Sequence, residues 1–282
     1  MGIRRALLNI VDHRATPYVI LSVLAALMLS PFIWIVLTAF KTLSETLKCP
    51  PTYFPENFTL KTMREVWLEA PLTTYLTNSL IMCLIATMVV VITASLTAFA
   101  LSHYPFKGSN VVLGLFLFTR AIPPLAMLLP YYLLLMKLRL LDTRLSVILY
   151  LIYLSYPLVV WLLKGLFDTF PRELIDSASV DGCSRTGALT RIVMPVTASG
   201  ICAIAVIAFM WAWNEFVAPF LFVHSAELKP ISVGIHAYAG DEITTYNFMC
   251  AAGIYAVIPS LLFFLLAQKY ILKGLREGSL GF

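Results

Sequence analysis

The sequence predicts an all-α membrane protein, a polytopic bundle of six transmembrane helices with a cytoplasmic helix-turn-helix loop. Apolar residues make up 60% of the 282 residues and charged residues only 12%, whereas soluble domains carry about 25% charged residues. The apolar residues form six long stretches without a polar face, which is typical of helices surrounded by lipid. Strands of a membrane barrel would instead alternate in segments of about ten residues, and these stretches do not.

Stretches with almost no charge define the spans, because a membrane helix needs about 20 apolar residues. The predicted spans are Pro17–Phe40, Thr74–Leu101, Ser109–Met136, Leu145–Leu163, Val196–Val223 and Tyr246–Gln268. We interpret residues 1–282 as a single transmembrane permease domain. Its longest inner connection is the loop of residues 164–195, between the fourth and fifth spans.

The distribution of charge favours both termini on the cytoplasmic side. Basic residues concentrate on that side of membrane proteins. With the termini inside, eleven basic residues fall in the inner segments and eight in the outer ones, and Arg4, Arg5 and Arg14 precede the first span. The net charge of +5 therefore indicates membrane topology. Nucleic-acid binding is not expected, since no basic run with interleaved aromatic residues stands in a polar context.

The loop of residues 164–195 predicts two short helices joined at a glycine. Pro171 suits a first helical position, and Glu173 complements the positive end of that helix. Gly182 can adopt the left-handed conformation that ends a helix, and Ser184 can cap the next one. Apolar residues recur at helical spacing on both sides of the glycine, at Leu174, Ile175, Ala178, Ala188, Leu189, Ile192 and Val193.

This loop resembles the EAA loop of the permease subunits of ABC importers, where Glu-Ala-Ala is followed four residues later by Gly and then by Ile-x-Leu-Pro. Asp176-Ser177-Ala178 stands for the Glu-Ala-Ala, and the substitutions keep charge or size. In this family the loop docks in a groove on the ATPase subunit. The resemblance therefore implies coupling residues, namely Glu173, Asp176, Ser177, Ala178, Asp181, Gly182, Ile192 and Pro195.

Further motifs resemble the carbohydrate, maltose-type branch of the same family. They are Phe54-Pro55 with Phe58-Thr59-Leu60, Asn78-Ser79-Leu80, Leu138–Thr143, Trp213–Phe216 with Pro219, and Gly274–Gly278. Arg139 stands where relatives usually have glycine. The resemblance implies half of a carbohydrate pathway in the prokaryotic cytoplasmic (inner) membrane. The implied partners are a second homologous permease, two ATPase subunits, an extracytoplasmic solute-binding protein and membrane lipid.

Several classes of function are disfavoured by what the sequence lacks. Without a G-x-x-x-x-G-K-[ST] motif the chain has no phosphate loop, so we expect no enzymatic activity or cofactor here and place ATP and Mg²⁺ on the partner subunits. The five scattered cysteines give no metal-ligand spacing. An importer of amino acids, peptides or phosphate remains the alternative. An ion-coupled secondary transporter is a weaker one, because paired acidic residues at mid-membrane depth are missing.

Polar side chains within the spans are candidates for a pathway or gate. Arg120 and Glu215 interrupt spans, where a charge costs at least about 2.5 kcal/mol on insertion scales. They either line a polar route or serve packing, paired with one another or with the partner subunit. Trp213 and Asn214 are further candidates. Tryptophan can stack on sugar rings, although such residues more often form the interfacial belt of the membrane or pack between helices.

Overall fold

The computed structural model describes residues 16–69, 71–236, 238 and 245–279, and their side chains except at 69, 266–267 and 269–279. These residues form helices and no strand. In chain order the helices are α1 (Thr16–Ala39), α2 (Leu43–Thr46), α3 (Lys61–Glu69), α4 (Leu72–His103), α5 (Ser109–Ala121), α6 (Pro124–Lys137), α7 (Arg144–Asp168), α8 (Arg172–Val180), α9 (Arg185–Ala188), a π-helical turn (Leu189–Val193), α10 (Met194–Val196), α11 (Ala198–Trp213), α12 (Val217–Phe222), a 3-10 turn (Ala226–Leu228), α13 (Ile231–His236) and α14 (Tyr246–Ser279).

Three parts of the sequence-based interpretation lie wholly or partly outside the described residues. Arg4, Arg5 and Arg14, which support the orientation, precede the described chain. Residues 237 and 239–244, in the connection before α14, are also outside it. The motif Gly274–Gly278 falls in α14 where side chains are not described.

Four helices are long and apolar enough to cross a membrane, namely α1, α4, α7 and the Tyr246–Leu265 part of α14. Two further helix pairs pass the same test together, each bent at a short break. They are α5 with α6, bent by 99°, and the segment Arg185–Val196 with α11, bent by 86°. The chain is therefore a polytopic helical membrane protein.

Prolines divide the predicted third span into two helices. The span was expected to run from Ser109 to Met136, but α5 ends at Ala121 and Ile122 is extended, with ψ 125°. A residue before proline is disfavoured in the α conformation, and proline itself donates no backbone hydrogen bond. Pro124 then starts α6, where a missing N–H costs nothing.

The boundaries of the fourth and fifth predicted spans also differ. Helix α7 continues past Leu163 to Asp168, so Lys164 lies within the helix and pairs with Asp168 at 2.7 Å. The predicted span Val196–Val223 is broken after Trp213, because α11 ends there and α12 begins at Val217. Pro219 accounts for this break, since its ring would clash with a carbonyl four residues earlier in a continuous helix.

The chain forms two compact units, and the first contains residues 1–70 and 237–255. In this unit α1 is exposed along nearly its whole length, and only Thr38 and Ala39 at its end are buried. A buried polar cluster lies beyond that end. Glu45 accepts hydrogen bonds from the Thr52 hydroxyl at 2.9 Å and from the Glu56 N–H at 2.8 Å.

The second unit contains residues 71–236 and 256–282. Its core is formed by α4, α7 and α11, with α4 and α7 packed together along much of their length. Small residues of α4, including Ala94 and Ala98, are fully buried and allow this close approach. One apolar cluster joins these three helices to the segment of residues 170–193. The segment of residues 170–193 is thus part of this core.

Candidate functional site

Helix α8 ends in a turn that depends on Gly182. Its φ is 80°, in the left-handed region where a residue without Cβ has no steric penalty. The Gly182 N–H donates to the Ser179 carbonyl at 3.1 Å, and the Cys183 N–H donates to the Ala178 carbonyl at 2.9 Å. These two bonds form the Schellman arrangement, which satisfies the last carbonyls of a helix.

The second short helix begins at a side-chain cap and continues through an irregular turn. Ser184 Oγ accepts the Gly187 N–H at 3.1 Å, which caps α9. Residues Leu189–Val193 then form a π-helical turn before Pro195. Because Pro195 has no N–H to offer the carbonyl four residues earlier, the regular α-helical ladder is interrupted at this point.

The apolar stripe predicted along α8 is divided between two faces. Ile175 is 2% exposed and Ala178 is 7% exposed, so both are buried within the chain itself. Leu174, by contrast, is 49% exposed, and Val180 is 88% exposed. The expectation that Ala178 packs against a partner subunit therefore has to be revised. Its side chain faces inwards, and the outward face of α8 carries other residues.

The eight predicted coupling residues all belong to this short region. Ala178 is buried and Ile192 is half-buried, and the exposed members are Glu173, Asp176, Ser177, Asp181, Gly182 and Pro195. Leu174 and Val180 were not among the predicted coupling residues, although both are exposed on the same helix. Both are apolar residues of an amphipathic helix, so residue type and spacing alone do not distinguish these exposed positions from core positions.

The two charged residues predicted within spans do not pair with each other. Arg120 Nη1 donates to the Leu154 carbonyl at 2.9 Å, and its guanidinium lies 4.5 Å from the centre of the Trp211 ring. Glu215 accepts the Ala218 N–H at 3.0 Å and so caps the start of α12. Arg120 and Glu215 form no ion pair. Each charge is instead balanced by local partners.

Trp213 and Asn214 are held by the helices around them. Trp213 is buried, its Nε1 donates to the Ala256 carbonyl at 3.2 Å, and its ring stacks on Phe209 at 5.6 Å. Asn214 is exposed, and its side-chain amide donates to the Met210 carbonyl at 2.7 Å. These contacts favour a packing role for Trp213, which was the structural alternative.

A small, mostly apolar cavity lies beside Glu215. Ser79, Trp213 and Ser232 also line it. It has room for about one water molecule and is far too small for a sugar ring. Within the part of the chain that the structure describes, no group of three His, Cys, Asp or Glu side chains can hold a metal ion.

Asp142 lies just before α7 and binds the segment that follows α12. Its Oδ1 accepts the N–H groups of His224 and Ser225, each at 2.9 Å, and its Oδ2 accepts the Ser225 hydroxyl. The Ser225 hydroxyl, followed by the two backbone N–H groups, holds the pKa of Asp142 below its ordinary value. Asp142 has a φ of 56°, and Arg139, three residues earlier, has a φ of 55°.

The bundle of apolar helices defines the class of this protein as a polytopic helical membrane protein. The family described as "Binding-protein-dependent transport system inner membrane component" matches residues 90–277. The chain therefore belongs to this family of ABC transporter permeases. The resemblance seen in the loop and the motifs is thereby confirmed at the level of the family.

Similar proteins cover nearly the whole chain. The sulfoquinovosyl glycerol transport system permease protein SmoH of Agrobacterium fabrum is 30% identical over 93% of this chain and 92% of its own length. The trehalose/maltose transport system permease protein MalG of Thermococcus litoralis is 32% identical over 91% of this chain and 93% of its own. A chain of a bacterial ABC transporter that imports alginate shares the fold, with a TM-score of 0.79 at 18% identity, covering 90% of this chain and 95% of that one.

Proposed function

We propose that this chain forms half of the translocation pathway of an ATP-driven importer for a carbohydrate. An extracytoplasmic binding protein delivers the solute, and a second, homologous permease supplies the other half. Support comes from the names of the relatives, whose transport systems handle sulfoquinovosyl glycerol, trehalose and maltose. The small size of the cavity beside Glu215 fits a pathway that is completed only between two permease subunits.

In this proposal the chain crosses the membrane six times, with both termini in the cytoplasm. The bent pairs, α5 with α6 and Arg185–Val196 with α11, each count as one span. Two ATPase subunits bind ATP and Mg²⁺ and supply the energy, since the chain itself has no phosphate loop.

The outward face of α8 is the proposed contact with the ATPase, and this face is the observation that carries the proposal. It combines two exposed apolar side chains, Leu174 and Val180, with the exposed carboxylates of Glu173, Asp176 and Asp181. Exposed apolar side chains beside charged ones are found at protein–protein interfaces. The inward face, with Ile175 and Ala178, fastens the helix to the permease. Movement of the ATPase is thereby passed to the bundle.

The substitution Leu174→Asp tests this contact. It places a charge in the proposed interface and leaves the buried Ile175 and Ala178 unchanged, so the helix should still form. We expect co-purification of the ATPase and uptake of labelled maltose or trehalose to fall at least about tenfold, which corresponds to about 1.4 kcal/mol of lost binding. Co-purification from membranes and uptake into proteoliposomes of the complete transporter measure these effects.

The matched control is Leu60→Asp, which makes the same change at a leucine that is 63% exposed in the loop between α1 and α3. This loop lies outside the cell in the proposed topology, so ATPase binding should not change. Normal ATPase binding and uptake with Leu174→Asp would remove the coupling role of α8. Uptake of amino acids, peptides or phosphate in place of sugars would favour the alternative substrate class.

A further inference from the structure

The side chain of Asn78 joins three segments of the second unit. Its Nδ2 donates to the carbonyls of Glu227 and Lys229, at 2.7 and 3.1 Å. Its Oδ1 accepts a hydrogen bond from Arg144 Nε at 3.1 Å. Asn78 is only 1% exposed, and both amide protons and the amide oxygen are used. A side chain that donates twice and accepts once in a single plane is required here, and asparagine provides it.

The next residue continues this attachment. Ser79 Oγ accepts the N–H of Ile231, the first residue of α13, at 2.8 Å. Three residues on, Gly234 lies directly on Tyr75 of α4, because a Cβ at that glycine would come within 2.2 Å of the Tyr75 ring. Residues 227–234, hereafter the outer clasp segment, are thus fixed to the first two turns of α4 by both polar and steric contacts.

The same helix reaches the coupling loop at its other end. Phe99 and Leu101 of α4 belong to the apolar cluster that contains Ile175 of α8 and Leu189 of the π-helical turn. From Asn78 to Phe99 the helix rises about 31 Å, at about 1.5 Å per residue. No proline interrupts α4. A single continuous helix therefore contacts both the outer clasp segment and the loop that carries α8.

We propose that Asn78 is a positioning residue through which the docked binding protein acts on α4, and through α4 on the coupling loop. This inference rests on the proposed function, which places the outer clasp segment on the extracytoplasmic side. Coupling between distant sites is carried by rigid elements and packed side chains. The hydrogen bonds of Asn78 tie the backbone of the segment to such an element, so a displacement of the segment moves α4.

The substitution Asn78→Asp tests the proposal with almost no change in volume. Aspartate still accepts the bond from Arg144 but cannot donate to the carbonyls of Glu227 and Lys229. The complete transporter is reconstituted, and ATP hydrolysis is measured with and without the purified binding protein of the same system. The binding protein is added with a mixture of maltose, trehalose and arabinooligosaccharides. We expect basal hydrolysis to be retained and the stimulated-to-basal ratio to fall at least about fivefold.

The matched control is Asn110→Asp, at an exposed asparagine in the first turn of α5, which should keep the wild-type ratio. An unchanged ratio in Asn78→Asp overturns the inference. If that variant does not assemble, Asn78→Ala decides, because it removes the two bonds to the outer clasp segment without burying a charge; a wild-type ratio there also overturns the inference. A wild-type transporter that the binding protein does not stimulate would instead contradict the proposed function itself.

Discussion

The two ends of the second unit are held in place by different kinds of interaction. At one end the turn after α8 depends on backbone geometry at Gly182 and on apolar burial of Ile175. At the other end the segment after α12 is held by side chains that come from far along the chain, such as Asp142 and Asn78. The first attachment is local in sequence, and the second is not.

This difference separates what each end can tolerate. A turn set by one positive φ is strained by about 1–2 kcal/mol when a side chain replaces the glycine, however much space surrounds it. A segment held by several long-range hydrogen bonds loses part of its attachment with each substitution and keeps the rest. We therefore expect single changes to have their largest effect at the turn after α8 and graded effects at the end that carries Asp142 and Asn78.

The largest effect is expected for Gly182→Val. Nothing lies within 4 Å of the position that a Cβ would occupy, so the cost comes from the φ of 80° alone. That conformation costs an L-residue about 1–2 kcal/mol, and a β-branched residue tolerates it poorly. We expect α8 to be misdirected, with uptake and ATPase co-purification reduced at least about tenfold and membrane insertion retained.

The control for this change is Gly114→Val, at a glycine in α5 that has ordinary backbone geometry and also has open space around it. Uptake should remain near the wild-type value in that variant. Wild-type uptake with Gly182→Val would mean that the turn adapts, and the contrast between the two ends would disappear.

An intermediate effect is expected for Asp142→Ala. The carboxylate accepts two backbone N–H groups and one hydroxyl, and hydrogen bonds to charged groups contribute about 1.5–3 kcal/mol. The bonds of Asn78 remain, so the segment should loosen without detaching. Amide hydrogen exchange at His224 and Ser225 should speed up markedly in Asp142→Ala and only slightly in Asp142→Asn, whose amide oxygen still accepts the N–H groups.

The same carboxylate predicts a dependence on pH. Because folding lowers the pKa of Asp142 from the ordinary value of 3.8, its contribution is fully present above that value and is lost as the pH falls through the lowered pKa. Protection of the His224 and Ser225 amides should therefore be constant from neutral pH down to about pH 4 and decrease below it. Asp142→Asn should show no such decrease, and an identical acid response in both proteins would exclude this carboxylate as the cause.

The smallest effect is expected for Arg139→Gly. Arg139 has a φ of 55°, which costs a non-glycine residue about 1–2 kcal/mol, whereas glycine loses about 0.5–1 kcal/mol of backbone entropy. We expect a net gain of under about 1 kcal/mol in stability, seen as a small rise in Tm in detergent, with normal uptake. A lower Tm would show that the Arg139 side chain makes a stabilising contribution.

The two ends also differ in how well the sequence predicts them. The apolar spans and the helix–glycine–helix pattern around Gly182 depend on neighbouring residues, so composition and spacing predict them. The bonds of Asn78 to Glu227 and Lys229 join positions about 150 residues apart, and no local pattern indicates them. The inward direction of Ala178 was missed for a similar reason, because a stripe of apolar residues does not say whether its own chain or a partner covers it.

The break between α5 and α6 has a consequence for the water content of the membrane region. Where α5 ends at Ala121, its last carbonyls have no partner in the following turn, and lipid cannot hydrogen-bond to them. Non-helical backbone at membrane depth is stable only where it faces protein or water. Arg120, in the last turn, adds a positive charge beside this negative helix end. In the proposed topology, where α5 and α6 together count as one span, this corner therefore faces a hydrated or protein-lined interior.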